Sequence, residues 1–77
     1  MKTILTITGS DSTGGSGVQA DIRTIAALGG YAVSAVTSIT VQNTLGIQAF
    51  YDLPAEIVRG QIDAIINDMF WGEEGEK

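Results

Sequence analysis

Apolar and polar residues along this chain fall into blocks of two different periods, and the blocks alternate. Residues 2–8 are dominated by β-branched types and end abruptly at Gly9-Ser10-Asp11, which predicts a short buried strand running into a loop. The loop is glycine-rich through Gly17. From Val18 the spacing changes: Val18, Ile22, Ile25 and Leu28 recur at helical intervals, with Gln19 and Arg23 between them, and Gly29-Gly30 supplies a stop. A one-faced helix of about three turns is expected. Residues 31–42 favour a strand again, with Tyr31, Val33, Ala35, Thr37, Ile39 and Val41 on one side and smaller or polar residues on the other. Asn43-Thr44-Leu45-Gly46 reads as a turn, 47–51 as a third short strand, and Pro54 as the opening of a second helix. In that helix Ile57, Val58, Ile62, Ile65, Ile66 and Met69 share one stripe.

The order strand-helix-strand-strand-helix predicts an α/β fold, because a strand-helix-strand crossover joins parallel strands and needs helices packed on the sheet. Only part of a three-layer α/β/α arrangement fits in this length. A lone parallel sheet of three strands would leave an open edge and an uncovered apolar face, so a missing remainder, a partner chain or poor solubility is expected. Residues 70–77 leave the helical pattern for two large aromatics followed by acidic residues, and read as a divergent, solvated tail.

Composition narrows the chemistry. Seventy-seven residues allow at most one small domain. The chain has no cysteine and no histidine, which removes disulfides, thiolate zinc sites and any Ser-His or Cys-His nucleophile. A net charge of -5 would repel a phosphate backbone, so nucleic acid and anionic membranes are poor partners. The first residues carry one lysine and a short apolar run interrupted by threonine, unlike a signal peptide or membrane span. A cytoplasmic protein is expected, and a homo-oligomer stays open.

The informative segment is the glycine loop between the first strand and the first helix. Glycines let backbone amides approach a ligand closely, and the following helix presents unpaired N–H groups at its positive end. A Walker-type phosphate loop needs Lys and then Ser or Thr after its last glycine, but Val18 follows Gly17. Gly15-Ser16-Gly17-Val18-Gln19-Ala20 matches the letters of a dinucleotide fingerprint. However, six residues separate Thr8 from Gly15, and the second strand closes on Gln42 where an acidic residue belongs. A flexible loop without a ligand is the plain alternative.

The whole run Thr8-Gly9-Ser10-Asp11-Ser12-Thr13-Gly14-Gly15-Ser16-Gly17-Val18-Gln19-Ala20-Asp21 resembles the N-terminal signature of hydroxymethylpyrimidine/phosphomethylpyrimidine kinases, of the ribokinase-like superfamily. Three further segments follow in the expected order: Ala27-Leu28-Gly29, Thr37-Ser38-Ile39-Thr40-Val41-Gln42-Asn43-Thr44, and Gln61-Ile62-Asp63-Ala64. The resemblance runs over roughly residues 3–69. It implies that 1–69 are the N-terminal part of a ribokinase-like kinase domain, with 70–77 divergent through truncation or a frameshift. The implied activity is phosphorylation of the pyrimidine precursor of thiamine with ATP and Mg2+. Pyridoxal-kinase-like specificity is a near variant, and a non-catalytic pyrimidine-binding or assembly fragment is the alternative. Ribokinase-like enzymes place their anion hole and catalytic centre in a C-terminal Gly-x-Gly-Asp element, which this sequence lacks. Independent catalysis, a catalytic residue and a metal ligand are therefore not expected here.

Ligands of open α/β sheets bind beyond the carboxyl ends of the strands. Gly9 and Gln42 lie at two such ends, and Asp21 is expected in the opening turn of the helix behind the loop. The Gln42 carboxamide offers an acceptor beside a donor, the complement of an aminopyrimidine edge. Asp21 can accept from a hydroxymethyl or amino hydrogen, although a first-turn Asp is also favoured by the helix dipole alone. Asp11 can equally be a turn former, and Asp63 and Asp68 read as the solvated face of the second helix. By resemblance, Gly9, Asp21 and Gln42 match the substrate-binding positions of the family.

Overall fold

The computed structural model describes residues 1–72. The elements are strand β1 (Thr3–Asp11), helix α1 (Gly17–Ala27), strand β2 (Tyr31–Asn43), strand β3 (Gly46–Asp52) and helix α2 (Ala55–Ile65), which continues as a π-helical turn, Ile66–Gly72. The order matches the one the pattern predicts. The expected acidic tail falls mostly on residues 73–77, outside the described residues, and its first part is the π-helical turn.

β1 and β2 pair in parallel, and the crossover between them is α1, which packs across both. That helix ends at a glycine pair, as expected. Gly29 takes φ 88°, Gly29 N–H donates to the Ala26 carbonyl, and Gly30 N–H donates to the Ile25 carbonyl, the paired bonds of a Schellman stop. Tyr31 N–H then donates to the Lys2 carbonyl and starts β2 beside β1.

The sheet is mixed, not wholly parallel as the pattern suggested. β3 pairs antiparallel with β2, from Ser38–Asp52 to Asn43–Gly46, in the sheet order β1-β2-β3. The reason is length: two residues, Thr44 and Leu45, join the strands, whereas a parallel return needs a crossover of about a dozen or more. Leu45 N–H donates to Asn43 Oδ1 and closes the turn.

Two register shifts break the ladders, and both fall near the carboxyl end of β1 and β2. Thr8 pairs with Val36 but Ser10 with Ile39, so β2 carries an extra residue opposite Gly9. Val41 pairs with Ala49 but Gln42 with Ile47, so β3 carries an extra residue beside Gln42. Bulges of this kind bend a strand and re-aim its side chains.

The core is small. Among the described residues Val18 of α1 and Ala35 of β2 are the buried apolar ones, joined by buried Thr6 and Asp11. The expected helix stripe is only partly covered: Val18 is buried and Ile25 half-buried, but Ile22 and Leu28 face outward. On β2 the odd-numbered stripe buries only Ala35, while Tyr31, Ile39 and Val41 are exposed. In α2, Val58, Ile62, Ile65 and Met69 are half-buried, whereas Ile57 and Ile66 are exposed. Asp63 and Asp68 are exposed, as their place on the polar face predicts. No described helix is long and apolar enough to cross a membrane.

Candidate functional site

A depression of about 270 Å³ opens where β1 and β2 run out, lined by Thr8, Gly9, Ser10, Asp11, Ser16, Gly17, Thr40, Gln42 and Ile47. Its floor is the pair of bulged strands and its wall is the start of α1. The volume suits a single-ring ligand, just below the usual range for drug-sized molecules. Larger hollows elsewhere in the molecule are wider and more open.

From the sequence Asp11 can equally be a turn former. In the structure it organises the site. Only 4% of its surface is exposed. Its Oδ1 accepts from Thr13 N–H and Thr13 Oγ1, each at 2.9 Å, and its Oδ2 accepts from Ser16 N–H at 2.8 Å and Ser16 Oγ at 2.9 Å. The Gln42 Nε2 amide donates to Oδ1 as well. The carboxyl is held down from its ordinary 3.8 to about 2, mainly by the Thr13 backbone N–H, with the Ser16 and Thr13 hydroxyls and the Ser16 N–H adding to it against opposing desolvation. The glycine loop thus wraps an anion of its own, and the Thr13 and Ser16 amides already point at Asp11. Gly15 N–H donates to Thr13 Oγ1 and Gly14 N–H to the Asp11 carbonyl.

The loop is fastened to the neighbouring elements by side chains. Gln19 of α1 accepts from Asp11 N–H at 2.8 Å and donates to Ser10 Oγ at 2.9 Å. Thr40 Oγ1 donates to the Ser10 carbonyl at 2.7 Å. Ser12 Oγ donates to the Gln42 carbonyl at 2.7 Å and accepts from Gln42 N–H at 2.9 Å. Gln42 is therefore gripped twice from the loop, at its backbone by Ser12 and at its amide by Asp11.

Glycine is required at Gly17 for reasons of space. A Cβ on Gly17, where φ is +66°, would lie 2.5 Å from the Gly9 carbonyl oxygen, so helix α1 can start this close to β1 only without a side chain there. A Cβ on Gly9 would lie 2.5 Å from Ser38 Oγ. Rotation of the Ser38 hydroxyl would relieve that contact, so space alone does not demand glycine at this position.

Of the three expected site residues, the structure brings Gly9 and Gln42 together in the depression. Asp21 lies elsewhere, in a neighbouring hollow with Ile4, Leu5, Thr6, Ile7, Thr24 and Ile25, where its carboxylate accepts from the Thr6 hydroxyl. It also falls in the second turn of α1, whose first turn holds no acidic residue, so the first-turn dipole argument does not apply to it. The reason is that α1 opens at Gly17, earlier than the apolar spacing indicates.

Among the described residues, no three His, Cys, Asp or Glu side chains gather as a metal site. The depression offers a carboxamide, hydroxyls, backbone groups and one carboxylate that its own loop occupies. This is equipment for reading the polar edge of a small ring.

Comparison with known proteins gives a consistent picture. Residues 11–72 match the family model described as phosphomethylpyrimidine kinase, and this stretch includes Asp21 and Gln42. A hydroxymethylpyrimidine/phosphomethylpyrimidine kinase of Mycobacterium leprae is 54% identical over 66 residues, 86% of this chain and 24% of that protein. The chain therefore spans about a quarter of the length of the curated relatives it matches. A phosphomethylpyrimidine kinase crystal structure from Clostridium difficile superposes with a TM-score of 0.86 at 48% identity, covering 90% of this chain and 30% of that one. A pyridoxal kinase from Staphylococcus aureus in complex with AMP-PCP superposes with a TM-score of 0.79 at 31% identity, covering 88% and 25%. The fold is that of ribokinase-like vitamin kinases.

Proposed function

Because this chain belongs to the phosphomethylpyrimidine kinase family, we propose that it forms the pyrimidine-binding rim of a thiamine-biosynthetic kinase. The substrate would be 4-amino-5-hydroxymethyl-2-methylpyrimidine, its monophosphate, or both, and the phosphoryl donor ATP with Mg2+. The observation that carries this reading is the Gln42 carboxamide set beside Gly9 in a depression of single-ring size at the carboxyl end of the sheet. An exocyclic amine donates to the carboxamide oxygen while the adjacent ring nitrogen accepts from its nitrogen. For Asp21, the reading requires a ligand hydroxyl or amine to replace Thr6 as its donor.

The residues described do not fit the nucleotide or the metal. The Thr13 and Ser16 amides are taken up by Asp11, whose charge opposes a phosphate, and no acidic cluster among the described residues would hold Mg2+. No step of phosphoryl transfer is routed through them, and their work is to bind and orient the ring. Pyridoxal specificity is the nearer competitor, but the pyrimidine kinase of known structure is more alike in both identity and superposition.

Calorimetric titration with the hydroxymethylpyrimidine should show saturable binding, weakened roughly tenfold or more by Gln42→Ala, which removes two hydrogen bonds of about 1 kcal/mol net each. Equal binding by the variant would overturn the assignment of Gln42. A coupled ATPase assay separates the alternatives: binding without turnover supports a non-catalytic pyrimidine-binding chain, and turnover supports a kinase.

A further inference from the structure

Resting on the pyrimidine-binding reading, we infer that Asp11 is a positioning residue that fixes which way the Gln42 carboxamide faces, and thereby selects amino-substituted rings over their oxo counterparts.

The argument begins with what a free carboxamide can do. A 4-aminopyrimidine edge presents a donor beside an acceptor. The 4-oxo analogue of the same ring presents the reverse, a carbonyl acceptor beside a ring N–H donor. A glutamine free to rotate about its last bond satisfies either ring by exchanging its oxygen and nitrogen. Gln42 alone would therefore discriminate poorly.

Asp11 removes that freedom. An ionised carboxylate is acceptor-only, so the amide must turn its nitrogen toward Asp11, since its oxygen there would face another oxygen. Asp11 itself cannot turn away. Two donors from Thr13 hold one of its oxygens and two from Ser16 hold the other, and the residue is almost wholly buried. The Gln42 backbone is pinned by Ser12 in both directions, so the amide cannot escape by moving its strand. Among the described residues no donor is bonded to Gln42 Oε1, which leaves that oxygen for a ligand. An amino group there is matched, and a carbonyl there meets a like acceptor. Selectivity comes from this built-in repulsion as much as from the attraction.

The test compares the aminopyrimidine with its 4-oxo analogue, by calorimetry on the full chain. The wild type should prefer the amino ring by roughly 100-fold, about a factor of ten for each of the two reversed contacts. In Asp11→Ala the carboxamide is released and the ratio should fall to about tenfold or less. A merely structural role for Asp11 would weaken both ligands equally and leave the ratio unchanged, and that result would overturn the inference alone. Failure of the wild type to bind either ring would overturn the pyrimidine reading and the inference together. Should Asp11→Ala not fold, NMR on the wild type decides: the Gln42 side-chain amide resonance should shift in step with protonation of the Asp11 carboxyl. A resonance indifferent to that ionisation would show that Asp11 does not hold the amide.

Discussion

Asp11 and Gln42 show how differently two polar residues can announce themselves. Gln42 stands at a strand end, where ligands of α/β sheets bind, and its place in the candidate site was legible from position and family resemblance. Asp11 has the local signature of any turn-forming aspartate, and it does form one, bonding to Thr13 two residues on. Nothing in the spacing shows that its carboxylate also meets Gln42, 31 residues away. The depressed carboxyl of Asp11 has a consequence for stability. Its folded value, about 2, lies below the ordinary 3.8 of an unfolded chain, so its contribution is fully present above 3.8 and is lost as pH falls from there through about 2. Urea unfolding of wild type and Asp11→Asn should therefore differ at neutral pH in favour of wild type. The gap should close as pH approaches 2, and a gap independent of pH would contradict the assigned ionisation.

Among the elements, α2 depends on a contact that no periodicity announces. Gln61 donates from Nε2 to the Val36 carbonyl and accepts at Oε1 from Val36 N–H, both at 2.8 Å, so its carboxamide pairs with β2 as a strand would. This happens just before β3 takes over at Ser38. Gln61→Ala leaves both backbone groups without that partner and should destabilise the chain by about 1–3 kcal/mol. Thermal unfolding measures it, and Gln61→Glu should also destabilise, because it removes the donor. Helix and strand existence were readable because the period changes from two to 3.6 residues between them. The antiparallel return of β3 follows from connection length, although the pattern by itself predicts a lone parallel sheet. The bulges opposite Gly9 and beside Gln42 were not readable, since an extra residue in one strand is defined only against its partner.

At the scale of the whole molecule, the fold is too open to be explained by its own contacts. A Cα radius of gyration of 14.1 Å exceeds the roughly 11 Å of a compact domain of this length. Large apolar side chains on every strand and α-helix stay exposed, among them Ile7, Ile22, Ile39, Phe50 and Ile57. β3 is exposed along its whole length, which makes its outer side an edge open to pairing. The isolated chain should bind a hydrophobic dye strongly and associate with rising concentration in sedimentation velocity. A dye-silent monomer would contradict the exposed faces. The matched kinase structure is about three times as long as the region it shares with this chain.

Local sequence by itself determined the elements and their order, the Gly29-Gly30 stop, the glycine loop and the family, because each rests on residues close together in the chain. Tertiary structure alone decided that the loop encloses its own carboxylate, that Asp21 faces Thr6, and that Asp11 governs the amide of Gln42. Those outcomes depend on where β1, α1 and β2 bring distant donors and acceptors within hydrogen-bonding reach, and no short stretch of sequence contains that distance.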